Sequence, residues 1–202
     1  MSSGADGLRP ARVLRELPAV FTYSQARALG VPERELYWLR DKGFIESIAR
    51  GMYRRHDLDP ANIDLVEVVL RAPAATLCLT TALARHQLTD AIPASIDVAL
   101  PRGQRHPSTI APVSWRSFDS ATFEIGRDIE PLDDDVGIGI YGPERSIIDA
   151  FRLRHLEGPE LGNDALRRWL RRRGSSPARL LAMARRFPRA ERPLHAALEI
   201  LL

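Results

Sequence analysis

The sequence predicts an α+β protein. An N-terminal winged helix-turn-helix is followed by a C-terminal α/β domain with a mixed or antiparallel sheet flanked by helices. Three observations carry this. Short helical periods broken by glycine turns lead into a two-stranded ribbon before residue 56. Apolar and polar residues then alternate as strands from Ile96 to Ile140, and the 3.6-residue period returns after Pro143.

Residues 1–10 are small and polar and read as a disordered N-terminus. Val13, Leu14 and Leu17 give a short helix that Pro18 closes, because the residue before a proline is pushed out of the helical region. Thr22 and Gln25 have the spacing of a capping box for a second helix running to Gly30. Pro32 suits the first position of a third helix, since it lacks an N–H that would find no partner there, and Gly43 ends that helix in the left-handed conformation. Residues 44–48 and 52–54 read as strands joined around Arg50-Gly51. The winged helix thus spans 11–56, a linker 57–62, and the second domain 63–202. In that domain 63–72 and 80–88 read as helices, and 96–100, 113–115, 123–125 and 136–140 as strands. Further helices are expected from Pro143, over 164–173, from Ser176-Pro177 to Phe187, and from Pro193.

A chain of 202 residues, 45% hydrophobic, can bury a sizeable core. No run approaches the roughly 18 uncharged apolar residues of a membrane span, and the N-terminus has no apolar signal core, so the expectation is a cytoplasmic protein without a membrane partner. The single cysteine, Cys78, excludes an internal disulfide and reads as a small buried hydrophobe. A net charge of +3 is compatible with nucleic acid without requiring it. The basic residues are nearly all arginine, Lys42 being the one lysine.

At about 100° per residue, Leu36, Leu39 and the Pro32 end of the third helix share one face, and Arg34, Tyr37, Trp38 and Asp41 lie largely on the other. An arginine beside two outward aromatics suits a major groove. Arginine bridges guanine O6 and N7, the aromatics reach phosphates or thymine methyls, and Asp41 accepts from cytosine N4 or orients an arginine. Lys42 at the helix end and Arg50, Arg54 and Arg55 around the ribbon turn complete the candidate DNA-contacting set. Trp38 could instead serve a protein contact, which would make the unit an interaction module.

In the C-terminal third, Arg167, Arg168, Arg171 and Arg172 form a stripe opposite Leu166, Trp169 and Leu170. It reads as a surface for an acidic patch on a partner protein or for a nucleic acid, or as a solvated face. No catalytic or metal set emerges. Asp133-Asp134-Asp135 reads as an acidic turn, and Arg145 and Asp149, four apart on a helix, read as a structural pair with Glu144 in the first turn. Those acids remain the candidates should the second domain be an enzyme. Gly137 and Gly139 suggest close backbone packing. No cofactor is expected.

The segments Phe21-Thr22-Tyr23-Ser24-Gln25-Ala26, Gly43-Phe44-Ile45 and Arg50-Gly51-Met52-Tyr53 resemble the N-terminal winged helix of AbiEi-type antitoxins of type IV toxin-antitoxin systems. The second domain is similar to the same family at residues 81–93, 99–103 and Pro143-Glu144-Arg145-Ser146-Ile147-Ile148-Asp149. The resemblance implies an antitoxin that opposes a cognate nucleotidyltransferase-like toxin and represses its own operon at inverted repeats, with two copies per site. It leaves open whether the toxin is bound, covalently modified or merely opposed. A transcription factor with a ligand-sensing second domain is the other alternative.

Overall fold

The computed structural model describes residues 13–56, 63–133 and 136–202. The chain divides into two compact units, Met1–Pro73 with Pro131–Gly137, and Ala74–Glu130 with Ile138–Leu202.

In the first unit, residues 13–16 form α1. There follow β1 (Val20–Thr22), α2 (Tyr23–Ala28), α3 (Glu33–Asp41), β2 (Ile45–Ala49), β3 (Met52–Arg55) and α4 (Ile63–Arg71). The capping box is present: the Gln25 amide donates to Thr22 Oγ1 at 3.1 Å and the Thr22 amide donates to Gln25 Oε1 at 2.8 Å. Pro32 is the N-cap of α3 and exposed, one position earlier than its sequence suggested and off the buried face. Gly43 is left-handed at φ 74°.

The ribbon has three strands, not two, in the order β1-β3-β2 and antiparallel throughout. Three residues are too short to show an alternation, which is why β1 escapes a periodicity reading. Because side chains alternate across a strand, Phe21 and Tyr53 point to one face, their rings 5.8 Å apart, and join Leu14, Leu17, Val31, Leu36, Leu39 and Ile45 in the core under the helices. Val20 and Met52 turn the other way and meet Val66 of α4. Helix α4 and the 131–137 segment therefore group with the first unit, although the sequence assigned everything after residue 62 to the second. The disordered N-terminus expected for 1–10 and the linker expected for 57–62 lie outside the described residues.

The second unit holds β4 (Thr76–Leu77), α5 (Leu79–Arg85), β5 (Ile96–Pro101), β6 (Val113–Phe118), a 3-10 turn (Ser120–Thr122) and the larger parts of β7 (Arg127–Asp133) and β8 (Val136–Tyr141), whose residues 131–133 and 136–137 fall in the first. Five helices complete it: α6 (Pro143–Arg152), α7 (Arg154–Glu157), α8 (Pro159–Leu170), α9 (Pro177–Ala184) and α10 (Pro188–Leu201). The sheet order is β6-β5-β4-β8-β7. It is mixed: β4 runs antiparallel to β5 and parallel to β8, while β5 and β6 are parallel. Helices α5, α6, α8, α9 and α10 enclose the main core, with Leu83, Ile147, Leu166, Trp169, Leu180 and Leu194 inside.

Four expectations change here, the first being that the helix expected over 164–173 runs from Pro159, a proline suited to a first turn, to Leu170. Residues 123–125 are a turn rather than a strand: Asp119 caps the 3-10 turn and Gly126, at φ 68°, bends the chain, so the apparent alternation marks only buried Phe123. The last helix starts at Pro188, with Pro193 inside it, because a proline suits the first turn better than the second. The helix expected over 80–88 stops at Arg85, and its next residues cap it, Gln87 at φ 56°. Gly139 does provide close packing: a Cβ there would sit 2.5 Å from Thr76 Oγ1.

Candidate nucleic-acid interface

Helix α3 buries Leu36 and Leu39 completely and leaves Arg34, Tyr37, Trp38, Asp41 and its C-cap Lys42 exposed. Tyr37 keeps 38% and Trp38 37% of their surface open, enough for their rings to meet a ligand without leaving the helix. Arg34, Tyr37, Trp38, Asp41 and Glu33 line one open depression.

The depression is held by its own side chains. Tyr37 donates its hydroxyl to Glu33 Oε1 at 2.9 Å, and that hydrogen bond holds the phenol above its ordinary range. Arg40 donates Nε and Nη2 to Asp41 Oδ1 at 3.0 and 2.8 Å, and its guanidinium lies 4.9 Å from the Tyr37 ring centroid. Trp38 stacks on Phe44 with centroids 5.8 Å apart. Asp41 thus holds the guanidinium of Arg40. Neither Arg40 nor Phe44 stood in the sequence-derived set. The signal was there for Arg40, which lies three residues from Tyr37 on the same flank.

The turn between β2 and β3 puts Arg50 in solvent beside Gly51, which is left-handed at φ 72°. Arg54 and Arg55 are otherwise engaged. Arg54 pairs with Glu46 across the ribbon, and Arg55 donates Nη1 to the Leu17 carbonyl at 2.7 Å, tying β3 to the end of α1. Both are part-buried, so the wing offers Arg50 ahead of either.

The stripe on α8 is likewise partly consumed. Arg167 pairs with Asp164 at 2.9 Å, and Arg168 grips Asp90 with both terminal nitrogens, Nη1 to Oδ1 at 2.8 Å, which holds the Asp90 carboxyl below its usual value. Arg172 donates to the carbonyls of His86 and Gln87. Arg171, the C-cap, stays exposed.

Of the acids named for an enzyme, Asp149 is wholly buried and Glu144 is part-buried. Arg145 Nε lies 3.0 Å from Asp149 Oδ2, both side chains wholly buried, and Arg152 approaches the other carboxylate oxygen at 2.8 Å. Asp134, Asp135 and the Asp133 side chain lie outside the described residues. Among the described residues no three of His, Cys, Asp and Glu gather as metal ligands, and no helix is long and apolar enough to cross a membrane.

Cys78 is fully buried, and burial, with Asp97 adding to it, pushes its thiol well above the ordinary value. A thiol reagent is therefore expected to label less than a tenth of the native protein in the time that it labels all of the urea-unfolded chain, because only the thiolate reacts and the native site excludes both reagent and charge. Rapid stoichiometric labelling without denaturant would show that this strand end opens.

No curated protein matches the chain significantly. Residues 9–56 match a family model described as "Transcriptional regulator, AbiEi antitoxin", and that span takes in α1 to β3 with the depression on α3 and the ribbon turn. Over those residues, about a quarter of the chain, the sequence is similar to the AbiEi antitoxin family of transcriptional regulators.

Proposed function

We propose that this chain is an antitoxin that represses its own operon by placing α3 in the major groove of operator DNA, and that it counteracts a cognate nucleotidyltransferase-like toxin. The observation that carries the reading is the exposed face of α3. An arginine, a tyrosine and a tryptophan stand outward on a helix whose opposite face is sealed into the core. A soluble unit has no use for two half-exposed aromatics beside an arginine unless something covers them. Arg34 is placed to read a base edge, Tyr37 and Trp38 to meet a thymine methyl or a phosphate, and Arg50 to reach the backbone or minor groove from the wing. Lys42 adds charge at the helix end. Arg54 and Arg55 serve the wing's shape. Inverted repeats in the operator would take one copy per half-site.

The test is a cell co-expressing this chain with the product of the neighbouring gene and carrying a reporter behind the operon's promoter. Repression and restored growth are expected together, with Arg34→Ala losing repression while growth stays restored. Growth arrest that persists at full repression would leave a regulator without antitoxin activity and refute half of the proposal.

A further inference from the structure

Arg179 lies on α9, Arg185 caps that helix, and Arg186 follows in the turn before Phe187. Arg189 and Arg192 follow three residues apart in the first turns of α10. All five are exposed. They flank Phe187 and Ala190, whose burial pins the corner between the two helices to the core. Among the described residues none of the five has an ion pair or a side-chain hydrogen bond. Glu191 is the one acid between residues 179 and 192, and it pairs with none of them.

Elsewhere in this unit the guanidinium groups of Arg85, Arg116, Arg152 and Arg168 all have a carboxylate. Five unmatched like charges on one corner repel one another, and an occupant with closely spaced negative charge would relieve that. The corner has no exposed aromatic or large aliphatic anchor, which a protein partner would need as a hot spot. Phosphates need none: guanidinium groups bind them through paired hydrogen bonds, independently of sequence.

We infer that the α9–α10 corner of Arg179, Arg185, Arg186, Arg189 and Arg192 is a second, sequence-independent contact surface for the phosphates of duplex DNA. The inference rests on the reading of the chain as a DNA-binding regulator but assigns the contact to residues outside the winged helix. Its place on the second unit also differs from the α8 stripe that the sequence suggested, because two of those four arginines hold the 86–90 loop.

The test is binding of the full chain to its own upstream duplex and to a shuffled duplex of equal length, across a salt series, for wild type, Arg186→Glu/Arg189→Glu and Arg186→Gln/Arg189→Gln. Melting temperatures show that both variants remain folded. The charge-reversed protein is expected to lose on the order of tenfold or more in affinity for both duplexes alike. Its log–log salt dependence should be shallower by about 1.8, that is about 0.9 for each phosphate no longer neutralised, with the glutamine pair giving the same change in slope. Affinity and slope unchanged for the shuffled duplex would overturn the inference and leave the corner to an acidic protein surface. A wild type without preference for its own sequence, whose binding these substitutions still weaken, would sink the base-reading role of α3 and leave this surface standing.

Discussion

Arg145→Ala is expected to destabilise the second unit by about 3–5 kcal/mol, the usual result of stranding one member of a buried ion pair. For a domain of this size that lowers the melting temperature by roughly 10–20 °C. The side chain is wholly buried and does three things. Its Nε pairs with Asp149, its Nη1 donates to the carbonyls of Thr122 and Ile125 at 2.7 and 2.6 Å, and its guanidinium lies 4.1 and 4.3 Å from the ring centroids of Tyr141 and Phe187. It thereby fastens α6 to the 122–126 turn. Arg145→Lys keeps the charge but cannot span a carboxylate and two carbonyls together, so it should fall between wild type and alanine. Calorimetry of the full chain checks both. A melting temperature for Arg145→Ala within 2 °C or so of wild type would mean that the pair's desolvation cancels all it contributes.

Leu36→Ala is the second large effect. Leu36 is fully buried in the small core of the winged helix, and removing it costs about 2–5 kcal/mol. A unit of this size has little more stability than that to lose. Amide hydrogen exchange in α2 and α3 should rise by two or more orders of magnitude while α6 and α8 stay protected, and the preference for operator DNA should vanish with it. Trp38→Ala, on the open side of the same helix, should weaken that preference and leave exchange unchanged. If Leu36→Ala and Trp38→Ala behaved alike in exchange, the division of α3 into a core face and a contact face would be wrong.

What the sequence makes legible is what local chemistry determines. Thr22 with Gln25, Gly43, Pro143 and Ser176-Pro177 each mark a helix end through a bond or a dihedral within three residues, and each is found there. Leu36 and Leu39 give the buried side of α3 by period alone, and Arg145 with Asp149 follows from a spacing of four. Long-range pairing is what sequence conceals. β4 has two residues and β7 carries Pro131, so neither shows a pattern; their neighbours in the sheet make them strands. Arg55 reaches a carbonyl 38 residues away and Arg168 a carboxylate 78 away, which turned two candidate contacts into internal ties.

The central claim, that α3 reads DNA, is tested most directly by the affinity of the purified chain for its own upstream fragment relative to a shuffled fragment at fixed salt. Wild type should prefer its own sequence by about a thousandfold or more, the range of specific over non-specific binding. Arg34→Ala should cut that preference by about 1–3 kcal/mol, the value of one bidentate base contact. A wild type that binds both fragments equally, or a preference that Arg34→Ala and Trp38→Ala leave intact, would contradict it and make the Tyr37 and Trp38 face a protein-binding surface.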